Sequence, residues 1–144
     1  MVTALFEGVT VDLSTVPEKW HKDIELLSVQ GAMKLSGVCE ATLQNWAKRG
    51  VFTDLWVRGV PRAAANAVRL FIRAQVVRAT QFPTTLGTWL VFPKIAHLPG
   101  VTWEWIDEQV ANGNLPAKRR SRNGPLLFTG TDIRRCLVHH LDLP

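Results

Sequence analysis

The stretch AMKLSGVCEATLQNWAKRGVF, residues 32–52, decides the reading of this chain, because IAHLPGVTWEWIDEQVANGNL at 95–115 repeats it without a gap. The offset is 63 positions throughout. Leu35, Gly37, Val38, Leu43 and Gly50 correspond to Leu98, Gly100, Val101, Ile106 and Gly113, and Phe52 to Leu115. Each copy runs from an apolar segment through a glycine into an amphipathic segment closed by a second glycine. A glycine between two helices takes positive φ without steric cost, and a glycine after a helix suits the C′ position. This is the pattern of a helix-turn-helix, and two copies at one offset point to nucleic-acid binding.

Ser28 is a good N-cap for a helix over 28–36. The second helix of the first copy is expected from Glu40 to Arg49, ending at Gly50. At 100° per residue, Leu43, Trp46 and Ala47 share one face, while Ala41, Gln44, Asn45 and Lys48 share the opposite one. The first face is built to pack and the second to be presented. In the second copy a short helix starts at Pro93, Pro99-Gly100 makes the turn, and Thr102 caps a helix to Asn112 that Gly113 stops. There follows LPAKRRSRNGPLLF, a basic loop with Asn123-Gly124 at its tip. That dipeptide favours a hairpin turn, so two strands around it would form a wing. Thr131 and Asp132 are expected to cap a last helix, Ile133–Leu141.

Outside the repeat, Val9, Val11 and Leu13 alternate with polar residues like a strand, and Pro17 opens a short helix over Glu18–Ile24. Phe52–Gly59 suits a short strand and turn. Pro61 followed by Ala63, Ala64 and Ala65 predicts a helix into Val77, on which Arg62, Asn66, Arg69 and Arg73 would line one stripe. Val68–Arg73 also alternates like a strand. The expected organisation is an N-terminal arm or strand (1–26), a first helix-turn-helix unit with a following helix (27–79), a connector (80–89) and a second winged helix unit (90–144). The fold class expected is mainly α with small β-wings, a tandem winged helix-turn-helix.

The 144 residues are 47% hydrophobic, enough to bury a core. No apolar run reaches the ~18 residues of a membrane helix. No secretory leader is visible after Met1, and two cysteines 97 positions apart suggest neither a disulfide scaffold nor a zinc cluster. A reduced, cytoplasmic, nucleoid-associated protein is the expectation. Residues 1–27 carry a net charge of −3 and residues 28–144 carry +8. Between 41 and 103 there are eight bases and one acid, Asp54. A basic body suits a polyanionic partner, although many basic proteins bind nothing anionic.

The second copy resembles the excisionase and MerR-like winged helix domains over Leu98, Gly100, Val101, Ile106, Gly113, Leu115, Pro116 and Ala117, then Lys118–Arg122, Phe128, Asp132 and Ile133. The first copy resembles the same family over Ala32–Phe52, including Thr42, Leu43 and Trp46. Together these matches cover about half of the chain. The resemblance implies DNA binding, in settings such as excision, phage and plasmid regulation, or transposase end-binding. The departures from the family matter. The second copy has Gln109 where the family keeps a large residue, and its second helix carries Glu104, Asp107 and Glu108 and no base. The first copy lacks the Leu-Pro-Ala element and a recognisable basic wing. Unit one therefore offers a reading helix and unit two a wing.

Gln44 and Asn45 are residue types that pair with adenine, and Lys48 one that pairs with guanine; in isolation the same residues would be an ordinary solvated face. Arg49 suits a phosphate contact or a helix C-terminal charge. Lys118, Arg119, Arg120 and Arg122 at the wing position suit phosphates or a minor groove, against the plain alternative of a solvated loop. Arg62, Arg69 and Arg73 suit backbone contacts, with partners among the N-terminal acids as the close alternative. Trp46 is expected in the core, and of Trp103 and Trp105 at least one at the surface. Cys136, His139 and His140 lack the paired spacing zinc prefers, and no nucleophile–base pair or P-loop is visible. The sequence thus predicts a double-stranded DNA-binding protein without enzymatic activity or cofactor, a phage- or plasmid-type transcriptional regulator or an excisionase- or partition-like architectural factor. A homodimer on a palindrome and a single chain reading two stretches are both compatible. The alternative is a protein-interaction module, an antitoxin or an adaptor for a recombinase or polymerase, using the second unit.

Overall fold

The computed structural model describes residues 2–63, 65–81, 100–119 and 121–141. The chain divides into two compact units, Met1–Arg78 and Ala79–Pro144.

The first unit opens with a hairpin, β1 (Thr3–Phe6) antiparallel to β2 (Val9–Asp12). Glu7 and Gly8 connect them at φ 48° and 82°, positive at both central positions as a two-residue type I′ turn requires. The strand-like alternation of Val9 and Val11 is thus real, and its partner β1 was not foreseen. A single 3-10 turn, Glu18–Trp20, stands where a helix to Ile24 was expected. Next come β3 (Leu26–Leu27), α1 (Val29–Ser36) and α2 (Glu40–Lys48). The Ser28 hydroxyl caps α1 by accepting from the Gly31 N–H at 3.1 Å. Gly37, at φ 71°, closes α1 by donating to the Met33 carbonyl at 2.8 Å.

The remainder is β4 (Leu55–Val57), a 3-10 turn (Pro61–Ala63), β5 (Val68–Ile72) and α3 (Arg73–Ala79). Strands β3, β5 and β4 form an antiparallel sheet in that order. The single helix expected from Pro61 to Val77 is therefore absent, and with it the stripe of Arg62, Asn66, Arg69 and Arg73. Alanine's helix preference is worth only tenths of a kcal/mol per residue. Burying Leu70, Phe71 and Ile72, all at most 1% exposed, between two neighbouring strands outweighs it. The core of this unit gathers around Leu43, Trp46, Phe52 and Phe71; the Phe52 and Phe71 rings meet edge-on at 5.5 Å.

In the second unit, α4 (Trp103–Ala111) and α5 (Gly130–His140) pack around Val101, Ile106, Leu115, Phe128, Ile133, Cys136, Leu137 and Leu141. The Thr102 hydroxyl caps α4 by accepting from Trp105 N–H at 3.1 Å. Helix α5 starts before the expected Ile133, capped by Thr129, whose hydroxyl accepts from Asp132 N–H at 3.1 Å. The two strands expected around Asn123-Gly124 reduce to one antiparallel bridge, Lys118 with Leu127. The turn itself is Ser121–Gly124, closed by Gly124 N–H to Ser121 carbonyl at 3.1 Å. Neither Asn123 nor Gly124 takes positive φ, so serine at the first and glycine at the fourth position act as in a type I turn. The helix expected at Pro93 and most of the connector expected at 80–89 lie outside the described residues.

The expected fold class needs correction. The described residues form a mixed α/β architecture, five α-helices with five strands in two small antiparallel sheets, not a mainly α tandem winged helix-turn-helix. The 63-residue repeat nevertheless has a structural counterpart. Helices α2 and α4 have nine residues each and begin and end 63 positions apart. Gly37 and Gly100 take φ 71° and 79°, Gly50 and Gly113 φ 82° and 78°. The correspondence goes on past the quoted stretch: the pair Leu55–Leu70 in the first unit matches Lys118–Leu127 in the second. The connecting loop is six residues shorter in the second unit, after which Phe71, Val76 and Ala79 match Phe128, Ile133 and Cys136, all buried.

Candidate nucleic-acid interface

Helix α2 divides as its periodicity demands. Leu43, Trp46 and Ala47 are at most 5% exposed, whereas Ala41, Asn45, Lys48 and Arg49 are exposed and Gln44 is half-buried. Cys39 occupies the N-cap, its thiol 3.3 Å from the Thr42 hydroxyl. The outward face therefore carries an amide pair and a base with no acid beyond Glu40 in the first turn.

The three arginines expected to share a stripe go to three different places. Arg62 reaches the tip of the N-terminal hairpin, its Nε 3.1 Å from a Glu7 carboxylate oxygen. Arg73 lies 3.6 Å from Glu25, with both side chains largely exposed. Arg69 is different, its side chain only 10% exposed. It donates to the Gln44 carbonyl at 3.3 Å, lies 3.7 Å from Asp54, and covers the Trp56 ring with its guanidinium 4.6 Å from the centroid. Arg69 thus joins β5 to the middle of α2 and is spent on internal contacts.

In the second unit Lys118, Arg119 and Arg122 are exposed, and Arg120 lies outside the described residues. Lys118 is fixed through its backbone by the bridge to Leu127, with bonds of 3.0 and 2.7 Å. Arg119 donates to the Gly124 carbonyl at 3.3 Å across the turn. The loop is thus a short closed excursion carrying bases on its surface. Arg134 contributes nothing to that surface: it is 2% exposed, and burial pulls its pKa down to about 10. Its guanidinium donates to the Ala79 carbonyl.

The register of the repeat sets α4 against α2 position by position. Ala41, Gln44, Asn45 and Lys48 correspond to Glu104, Asp107, Glu108 and Ala111. All four are exposed on α4, so the same helix face is acidic in one unit and amide-and-base in the other. Beside α4, Glu104, Trp105, Glu108, Gln109 and His140 line a cleft of about 370 Å3. Gln109, at the position of Trp46, turns inward: it is 5% exposed and its side-chain oxygen accepts from Asn114 at 3.0 Å. Trp103 is 47% exposed and Trp105 half-buried, the asymmetry their opposite placement on the helix implied.

The residues that the sequence reading missed are Trp56 and Arg58 of the β4–β5 hairpin, whose two strands do lie within the strand-like stretches Phe52–Gly59 and Val68–Arg73. The first unit does carry a hairpin after its helix pair, with Arg58 at its edge donating to the Ala65 carbonyl at 2.9 Å. Trp56 stands on β4, 48% exposed. The available signal was the period-two pattern of Leu55-Trp56-Val57 and Val68-Arg69-Leu70, interrupted by Gly59 and Pro61. Among the described residues no group of three or more His, Cys, Asp or Glu side chains is placed to hold a metal ion. No helix there is long and apolar enough to cross a membrane. No family model matches the chain, and neither a curated protein nor a solved structure is found to be similar to it.

Proposed function

We propose that this chain binds double-stranded DNA in a sequence-dependent way, with α2 entering the major groove and the loop at 118–122 holding the backbone. The observation that carries it is the outward face of α2, where Gln44, Asn45 and Lys48 stand opposite a buried face of Leu43, Trp46 and Ala47. Amides and a lysine are the groups that read adenine and guanine edges, and the helix that follows a glycine turn is the one such motifs present to the groove. The exposed bases Lys118, Arg119 and Arg122 supply charge for phosphates. The resemblance of both copies to excisionase and MerR-like domains supports the same reading, with phage- or plasmid-type regulation or architectural work on mobile-element DNA as its setting.

A second reading, a protein-interaction module, is favoured by the acidic face of α4, which phosphates would repel. On that reading the second unit meets a protein partner through this face. The deciding experiment is selection of bound duplexes from a random pool, followed by anisotropy titrations of the selected site and a scrambled site over a salt series. Enrichment of one sequence, with binding that weakens steeply as salt rises, is the expected result. Absence of binding at low salt would sink the DNA reading and leave the protein-interaction module.

A further inference from the structure

We propose that Trp56 is itself a DNA-contact residue, an aromatic plate beside α2 that packs on the sugar rings of the backbone flanking the groove. The inference rests on the DNA-binding reading above and adds an apolar component to it.

The first reason is exposure combined with fixation. Trp56 leaves 48% of its surface in water, a cost that buried tryptophans avoid. Yet it is held on two sides. Its ring N–H donates to Asp54 at 2.7 Å, and the Arg69 guanidinium covers its ring at 4.6 Å. Arg69 is itself 3.7 Å from the same Asp54 carboxylate, so the three side chains lock one another. A plate with its rotamer already fixed loses little entropy on binding.

The second reason is place. Arg69 pairs with Trp56 across the β4–β5 ladder and donates to the Gln44 carbonyl in α2. The plate is therefore contiguous with the helix bearing Gln44, Asn45 and Lys48. Arg58, exposed just past the end of β4, adds a base two positions from Trp56.

The third reason is charge. Asp54 is the one acid between residues 41 and 103, and Arg69 at 3.7 Å offsets part of the repulsion it would exert on phosphate. In the repeat, the position of Trp56 is taken by Arg119, a base on the loop proposed to hold the backbone. Both units thus place a side chain suited to the sugar-phosphate strand at the same point.

An apolar contact displaces no counterions, so its loss lowers affinity without changing the salt slope. The test titrates a fluorescein-labelled mixed-sequence duplex with the full chain, Trp56→Ala and Trp56→Phe, between about 50 and 200 mM salt. Trp56→Ala is expected to bind on the order of tenfold more weakly at every salt, from the ~25 cal/mol per Å2 of apolar surface removed from water. The log–log line should stay parallel to wild type, and Trp56→Phe should recover most of the loss. A loss under about twofold, or a changed slope, overturns the proposal, the latter because it would place the effect on neighbouring cations. Wild type that fails to bind overturns the DNA reading itself and is distinguishable from both. Should Trp56→Ala not fold, the wild-type indole N–H resonance of Trp56, assigned by its absence from Trp56→Phe, decides instead. A shift on adding duplex supports the contact, and an unmoved signal refutes it.

Discussion

The side-chain amide of Gln75 holds the backbone N–H and the hydroxyl of Thr53. Its oxygen accepts from the Thr53 N–H at 2.8 Å and its nitrogen donates to the Thr53 hydroxyl at 2.8 Å. Gln75 is fully buried in α3, so the pair ties the chain leaving α2 to the helix that ends the unit. Gln75→Leu keeps the bulk and leaves the Thr53 groups without a partner in a half-buried place. The expected loss is about 2 kcal/mol, the cost of orphaned donors and acceptors, read from urea unfolding. A loss below about 0.5 kcal/mol would mean that water replaces the amide.

Gly37 and Gly100 share positive φ but not their surroundings. A Cβ on Gly37 would meet nothing within 4 Å, whereas one on Gly100 would lie 3.2 Å from a Leu141 methyl. Gly37→Ala should therefore carry backbone strain alone, about 1–2 kcal/mol, and Gly37→Asn less, since asparagine tolerates this region. Gly100→Ala adds the contact and should cost more. Thermal or urea unfolding of the three variants checks the order; equal effects at both glycines would show that Leu141 moves aside freely.

The two thiols should differ sharply. Cys39 is exposed, and the hydrogen bond with the Thr42 side chain, helped by the Thr42 backbone, holds its pKa below the ordinary thiol value. Cys136 is buried among the core of the second unit, and burial raises its pKa to about 12. Ellman's reagent should titrate one thiol at once and the second only after unfolding. The folded state keeps the Cys136 proton after the unfolded chain has lost it near the ordinary value of 9.0. The contribution is thus full below that pH and fades as pH rises towards about 12. Unfolding free energies at rising alkaline pH should fall less steeply in Cys136→Ala than in wild type.

Local signals written on few residues were legible in the sequence. The Ser28 and Thr102 caps, the left-handed glycines and the buried face of α2 follow from rules that need no partner segment. What failed depended on distant pairing. Residues 63–65 carry three alanines and favour a helix, but Val68–Ile72 finds β3 on one side and β4 on the other. Strand pairing overrides local propensity there. The same blind spot produced the stripe of arginines; Arg62 and Arg73 instead take the other reading, partners among the N-terminal acids at Glu7 and Glu25, while Arg69 pairs with Asp54. Asn123-Gly124 reads as a hairpin tip between two strands, yet only one bridge stands behind it and the loop closes without positive φ.

If α2 reads bases and the loop at 118–122 holds phosphates, their substitutions should separate in a salt series. Gln44→Ala should relax discrimination at a single base pair of the selected site, by about 1–3 kcal/mol for a bidentate contact, and leave the salt slope alone. Lys118→Ala and Arg122→Ala should weaken selected and scrambled duplexes alike, each lowering the slope by about 0.9. Arg62→Ala and Arg73→Ala should do little to either quantity, because each base already faces a carboxylate. Arg69→Met should weaken selected and scrambled duplexes alike, since it removes the contacts that Arg69 makes with the Gln44 carbonyl, the Trp56 ring and the Asp54 carboxylate. Anisotropy titrations on both duplexes measure all of these together. A slope change in Gln44→Ala, or base-specific loss in Lys118→Ala, would exchange the roles given to the two units.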